Sequence, residues 1–540
     1  MNLSRSAQLG VYGGILIALG SYGSGANRYR GGIVHALGLD WITYGHGQIF
    51  CEIVIWIGIA LLLVSWLRIG RELLFSKGSI REVVTGPALA EGTEKPAGSA
   101  TVHAGSDESA LRRFNSILLA WAIPLSLAAP LFSRDVYSYL MQGAMVRDGF
   151  DPYTEGAAAN PGPMLLEVSA DWRNTTTPYG PLHLGIGEVI TRIVGDNITV
   201  GVILYRIVCL LGFAAIVWSI PRIARALGAN PAFAQWLGVL NPLVLLHLIA
   251  GMHNEALMVG LVSLALVAAL RMERLQGGLV AAVLIGIGVA LKATAVLALP
   301  FVVWIVLTRR EPITTVQEML RKIPMIAGVG IVLVAVCVGT LAAVTWLTGS
   351  SWGWISEISG NTKVINPLAA PSAVAGVISA VMVWFNDDIG FNFIVSYARV
   401  VSSVIMLVGL VISWFYFRAT PRDNVAGMVA AYVVACVFNA VALPWYYASL
   451  LTPMGTIRPP RWIIQGTVMF TFILSLSFAG GGNHRFYDAP WMIIITILGW
   501  LAAGWLTTGE FSWKFPWRDD RAADDTDSTT PSLSKSTEAA

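Results

Sequence analysis

Charge is what this chain has least of: Asp, Glu, Lys and Arg make up 12% of its 540 residues, against 55% hydrophobic. A soluble domain is about a quarter charged, so water is excluded as its main solvent. The net charge of +3 provides no global field for nucleic acid, and no nucleic-acid partner is expected. Cysteine is nearly absent. Cys51, Cys209, Cys337 and Cys436 stand far apart inside apolar runs, as small buried hydrophobes do, which argues against a disulfide framework. Around His253 there is no second His four residues away on the same helix face, so neither a metal nor any other cofactor is expected. The N-terminus has Arg5 before a Gly-rich apolar stretch and no small-residue cleavage site, which reads as a retained first helix.

What the chain has is apolar length. Runs of spanning character fall near residues 9–24, 49–67, 114–132, 200–218, 232–250, 255–271, 278–291, 293–308, 324–347, 392–417, 424–442, 443–457, 462–479 and 490–507. The expectation is an all-α polytopic protein of about fourteen transmembrane helices. With both termini in the cytoplasm, most of the 35 Lys and Arg fall on the cytoplasmic side, as the positive-inside rule requires. Counting the apolar stretch Ala373–Phe385 as a span would place Arg418 and Arg422 outside, so it is expected as an interfacial or re-entrant helix. The expected organisation is two N-terminal spans (1–76), a disordered cytoplasmic linker (77–110), a core (111–390), C-terminal spans (391–518) and a disordered tail (519–540). No internal repeat is evident.

Polar residues gather at a few places on the extracytoplasmic face. The longest outer loop, 133–199, opens with Ser133-Arg134-Asp135-Val136-Tyr137-Ser138-Tyr139. A carboxylate just beyond a span stays charged yet reaches a lipid headgroup, so Asp135 is either a general base or merely a helix cap. The following Leu140–Arg147 is expected to rest on the interface, with Tyr137, Leu140, Met141 and Ala144 facing down. Tyr179, held between Pro178 and Pro181, either stacks on a sugar ring or pins its loop. His253, Asn254 and Glu255 crowd a hairpin too short for an ordinary solvated loop, which points to headgroup or phosphate contacts, with Glu255 as an alternative acid or base. Lys292 and the intramembrane Arg399 and Arg206 are placed either as phosphate ligands or as structural ion pairs. Trp445 and Tyr446 match an interfacial aromatic belt. One outward-facing cavity would unite these residues, and a lipid-linked substrate suits it, its chain in the bilayer and its headgroup among the polar side chains.

Read in order, Ser133–Tyr139 with Gly143, Asp151-Pro152-Tyr153, Pro178-Tyr179-Gly180-Pro181, His253-Asn254-Glu255 and Pro444-Trp445-Tyr446 resemble the pattern of the actinobacterial polyprenol-phosphate-mannose-dependent α-1,6-mannosyltransferases. Within these, the resemblance is nearest to the mannopyranosyltransferase B type. It runs from about Leu118 to Pro453. It implies a glycosyltransferase bundle of the C fold class (GT-C) with an extracytoplasmic catalytic loop and interfacial helices, embedded in the plasma membrane. It further implies a polyprenyl-phosphate mannose donor, a mannosylated phosphatidylinositol-like glycolipid acceptor, and inversion at the anomeric carbon during synthesis of the lipomannan and lipoarabinomannan core. Asp135 matches the family's catalytic carboxylate. Many relatives place a second acid immediately before it, where this chain has Arg134, so a single base is implied. His253, Asn254, Lys292 and Arg399 would then bind the donor phosphate, with Glu255, Tyr137, Tyr179, Trp445 and Tyr446 as second acid or acceptor contacts. The rival readings are a transporter or flippase for a lipid-linked saccharide, which needs functional polar residues on both faces, and a non-catalytic assembly subunit.

Overall fold

The computed structural model describes residues 3–76, 79–86, 97–360, 365–385 and 390–511. Helices or helix pairs fall on all fourteen apolar runs, and among the described residues there is no β-strand, only the isolated bridges Thr85–Ala229 and Phe478–His484. Among the described residues, five helices are long and apolar enough to cross a bilayer alone, or six if one bent pair is a single span. The expected count of fourteen therefore does not appear as fourteen continuous crossings. The run at 443–457, for example, is a chain of short pieces, Pro444–Tyr447, Ala448–Met454 and Gly455–Ile457.

The bent pair shows how sequence breaks a span. Asn230-Pro231 and Asn241-Pro242 each begin a half-helix, the Asn side chain accepting from the backbone two residues on and the Pro occupying a position that needs no N–H. Pro242 cannot continue the helix that begins at Pro231, and Pro231–Val239 meets Pro242–Ala250 at 54°. The Asn241 amide donates to Leu237 O and Thr471 Oγ1, closing the gap in backbone hydrogen bonding. Trp66 and Trp236 fasten the N-terminal helices to this break: the indoles stack at 4.8 Å and each donates to the other's backbone carbonyl at 3.0 Å.

Arg206 has a structural role. Its guanidinium donates to Leu125 O and Ala128 O, satisfying carbonyls freed where helix Ala97–Ser126 ends. The expected unstructured linker 77–110 is partly helical. Ser79 and Glu82 form a capping box that starts helix Ile80–Val84, and helix Ala97–Ser126 begins within the same stretch. Residues 87–96 and the tail 519–540 lie outside the described residues. The stretch at 373–385 forms helix Ala370–Met382; its 13 residues reach only about 20 Å, too short for a bilayer core of about 30 Å.

The helix expected to rest on the membrane is instead buried. Asp135–Arg147 packs under helix Pro181–Val194, and Tyr137, Leu140, Met141 and Ala144 all face protein. The reason is a close crossing at two glycines: a Cβ on Gly143 would stand 2.2 Å from the Gly187 backbone, and one on Gly187 would sit tightly at 3.0 Å from Gly143 Cα, so a side chain at 143 is excluded. The exposed apolar edge falls to Val189 and Ile193 of the upper helix. Gly143→Ala should force the helices apart at a cost of about 1–3 kcal/mol, read as a lowered unfolding temperature in detergent together with reduced activity.

Candidate active site

Three strained or broken backbone segments bring the polar residues together. Phe132, at φ +65°, turns the chain out of helix Ala97–Ser126 toward Asp135, while Met252, at φ +55°, turns it from the bent pair into His253. The third segment is Thr177–Pro181, which docks on the hairpin at Lys292 as Gly180 N donates to Leu291 O and Leu182 N to Ala290 O. A side chain at Gly180 would strike Ala290 O at 2.4 Å, and this close approach sets Tyr179 beside Lys292.

Asp135 is the first residue of its helix, not the cap; Arg134 holds that place, and the Asp135 amide donates to Ser133 Oγ. Its carboxylate is thus free for other partners. His253 Nδ1 lies 3.3 Å from Asp135 Oδ2, and Tyr139 Oη lies 3.4 Å from the same oxygen. Burial pushes the Asp135 carboxyl up, but His253, Ser133 and the charge of Lys292 outweigh it and hold it below the usual carboxylate range. His253 is fully buried and stacks on Trp445 at 3.6 Å, nearly parallel, with His247 5.7 Å away.

Lys292 forms a buried ion pair with Glu255 and sits 3.8 Å from the centre of the Tyr446 ring and 5.9 Å from that of Tyr179. Burial acts to lower the Lys292 pKa; Glu255 and Tyr446 overcome this, so the ammonium stays charged. Tyr446 stands between two spaces. On one side is a cavity of about 710 Å³, its open mouth included, lined by Asp135, Tyr139, Gln142, Glu155, Trp172 and Tyr179 among others. On the other is a narrow apolar chamber of about 340 Å³, its open part included, lined by Glu255, Lys292, Met258 and Tyr432 among others. Tyr432 and Ser449 also line a further small space, with Val259, Val262, Leu266 and Met428.

Most of the residues expected from sequence meet here: Asp135, His253, Asn254, Glu255, Lys292, Tyr179, Trp445 and Tyr446. Two do not. Tyr137 is two residues from Asp135, about 200° around the helix, and its hydroxyl donates to Ala26 O while its ring lies under Arg134. Arg399 belongs to helix Phe391–Tyr416, of which only Val395, Ser402 and Ser413 are buried, and it lines neither space. Arg134, where the resemblance implied a second acid, is spent on Glu167, whose carboxylate it meets at 2.8 Å. Glu167 also accepts from Tyr29 N, tying the segment after the first helix to the base of the Asp135 helix.

Sequence reasoning missed Tyr139, Gln142, His183 and His247. The first two carried a readable signal, since residues 135, 138, 139 and 142 form one helical face, and that face lines the cavity. His183 and His247 had none, being single histidines in apolar segments.

Against this geometry the comparisons with known proteins are decisive. Residues 7–308 match the family model described as "Alpha-(1->6)-mannopyranosyltransferase, N-terminal domain", and residues 371–508 match that of the "MptB C-terminal domain". The chain belongs to the α-(1→6)-mannopyranosyltransferase family. Alpha-(1->6)-mannopyranosyltransferase A of Corynebacterium glutamicum is 49% identical over 90% of this chain and 95% of its own length. The A protein of Mycobacterium tuberculosis is 33% identical, covering 89% and 86%. The B protein of C. glutamicum is 29% identical over 83% and 72%. Relatives of both names match, so they establish the family rather than the B type expected from the motifs. Arabinosyltransferase EmbB of Mycobacterium smegmatis is a more distant likeness, with 12% identity and a TM-score of 0.37 over 89% of this chain and 43% of that one.

Proposed function

We propose that this membrane protein transfers mannose from a polyprenyl-phosphate mannose donor to the 6-hydroxyl of a mannosylated glycolipid, forming an α-1,6 linkage with inversion, in the building of a lipomannan-type core. The observation that carries the reading is the sequence of environments across Tyr446. An acidic, aromatic-walled cavity suits a sugar, a buried ammonium suits a phosphate, and an apolar chamber between helices suits a lipid chain. The distribution of Lys and Arg supports placing this end of the bundle on the extracytoplasmic face.

In a single displacement, Asp135 takes the proton of the acceptor 6-hydroxyl as its oxygen attacks the anomeric carbon and the bond from that carbon to the phosphate oxygen breaks. Lys292 offsets the charge that develops on the departing phosphate. A carboxylate held below its usual range is a weak base in the free protein. A donor phosphate arriving nearby adds a like charge, which raises the carboxyl pKa and strengthens the base when it is needed. The two states should separate in pH profiles. The kcat/KM profile, which reports free enzyme, should stay flat as pH falls to about 4 and drop only below the ordinary Asp value of about 3.9. The acid limb of kcat, which reports the loaded enzyme, should lie at higher pH. Coincident limbs, or a kcat/KM limb near pH 6, would remove Asp135 from this role. The direct assay is purified protein with defined polyprenyl-phosphate sugars and short glycolipid acceptors, reading donor use and linkage together; absence of mannose transfer would overturn the reading.

A further inference from the structure

His183 lies in the first turns of helix Pro181–Val194, 2% exposed, with Tyr139 and Tyr179 packed on its ring at 4.7 and 4.4 Å. Its two ring nitrogens have different neighbours: Nδ1 is 3.4 Å from the Asn254 amide nitrogen, and Nε2 is 3.1 Å from Gln142 Oε1. Burial, reinforced by Lys292, depresses its pKa to about 3, so the ring is neutral and carries one proton. An amide nitrogen only donates, so Nδ1 is the acceptor and the proton resides on Nε2, which donates to the Gln142 oxygen. The polarity then runs one way, from Asn254 through His183 to Gln142. It fixes the Gln142 amide with its oxygen inward and its N–H groups toward the cavity, where among the described residues they have no hydrogen-bond partner.

The cavity wall has a matching character. Its charged lining residues are both acidic, Asp135 and Glu155, while the cation of the site, Lys292, stands beyond Tyr446. An anionic group is repelled from such a space, and a sugar ring, which both donates and accepts, is not. Gln142 is two helical turns from Asp135, about 10 Å along the axis, so it meets the acceptor away from the reacting hydroxyl.

We propose that Gln142 is a specificity-determining residue that reads an uncharged sugar ring of the acceptor by donating a hydrogen bond to it, and that His183 is the positioning residue that holds the Gln142 amide in the donating orientation. The inference rests on the placement of the acceptor in the Asp135 cavity. It adds that the sugar seated there carries no phosphate.

The test uses the full-length protein in detergent, with the polyprenyl-phosphate mannose donor and two short synthetic mannoside acceptors, one neutral and one bearing a phosphate on the ring beyond the reacting mannose. Gln142→Leu should raise KM for the neutral acceptor about 10-fold, the range of one lost hydrogen bond, with donor KM unchanged; it also leaves the buried His183 Nε2–H without its acceptor, so its unfolding temperature should fall. Gln142→Glu keeps an oxygen toward His183 but presents a second oxygen to the cavity, and should raise acceptor KM at least as much. His183→Phe should copy Gln142→Leu, and His183→Gln, which retains both a donor and an acceptor, should recover part of the loss. Wild type should use the phosphorylated acceptor at least 10-fold less well. The proposal is overturned if the Gln142 variants shift donor KM instead, if they leave acceptor KM unchanged, or if the phosphorylated acceptor is used equally. Should His183→Phe not fold, the Gln142→Glu result decides alone. A wrong placement of the base shows separately, as retained turnover in Asp135→Asn with either acceptor.

Discussion

Asp135→Asn should lower kcat by about 10²–10⁴-fold, the usual contribution of a general base, while leaving the fold and donor binding intact. Asparagine keeps the size of the side chain and can still meet His253 and Tyr139, but it cannot take a proton. The loss is therefore expected in kcat more than in KM for either substrate. Membranes carrying the variant, assayed with polyprenyl-phosphate mannose and a glycolipid acceptor, give the answer directly. Turnover near wild type would show that the carboxylate is a structural partner of His253 and that the proton leaves by another route. The position of Asp135 at the first turn of its helix adds to the case, since the helix dipole favours the charged form there, and the carboxylate is turned to the cavity and not used as a cap.

The second large effect concerns Lys292 and Glu255, which are buried together beside Tyr446, between the Asp135 cavity and the apolar chamber. Removing one partner of a buried pair strands the other and typically costs about 3–5 kcal/mol. Lys292→Met alone should therefore lower both stability and activity, and its kinetic effect cannot be read without a second variant. In the double variant Lys292→Met, Glu255→Gln the stranded charge is gone. Stability should return to within about 1–2 kcal/mol of wild type, a coupling that a double-mutant cycle measures, yet donor use should remain poor because the phosphate has lost its cation. Recovery of full activity in the double variant would make the pair purely structural.

The extent to which sequence foretold this molecule differs by feature, for physical reasons. Apolar runs are set by the solvent each segment must face, so the helical class and the place of nearly every helix were legible. Where helices break was legible only in part: the two Asn-Pro pairs at 230–231 and 241–242 stand in plain view, but nothing in hydropathy marks 443–457 as a series of short pieces. The polar residues that meet around Asp135 and Lys292 were legible because polar side chains in short hairpins between spans are costly and need a reason. The same logic left Arg206 and Arg399 open between a phosphate and a structural partner. An arginine near a helix end serves backbone carbonyls as readily as it serves a phosphate, and Arg206 does so at Leu125 and Ala128. Tyr137 is close to Asp135 in sequence only, whereas helix geometry places Tyr139 beside it and Gln142 on the same face two turns on. Gly143 and Gly187 illustrate the remaining gap, since a crossing that buries a whole helix depends on two residues with no side chain to signal it.

The backbone at Phe132 and Met252 carries a consequence of another kind. Both are bulky residues in a left-handed conformation, each costing on the order of 1–3 kcal/mol, and each stands just upstream of a residue of the Asp135–His253 pair. Glycine or asparagine would relieve the strain at either place, but both side chains are buried, Phe132 3% and Met252 0% exposed, and losing such a side chain costs about 2–5 kcal/mol, more than the strain released. Packing therefore holds the two turns in their costly conformation. Under selection for expression or heat tolerance these positions should stay as they are while the surface adapts, so the aim of Asp135 and His253 is protected by the core beneath them.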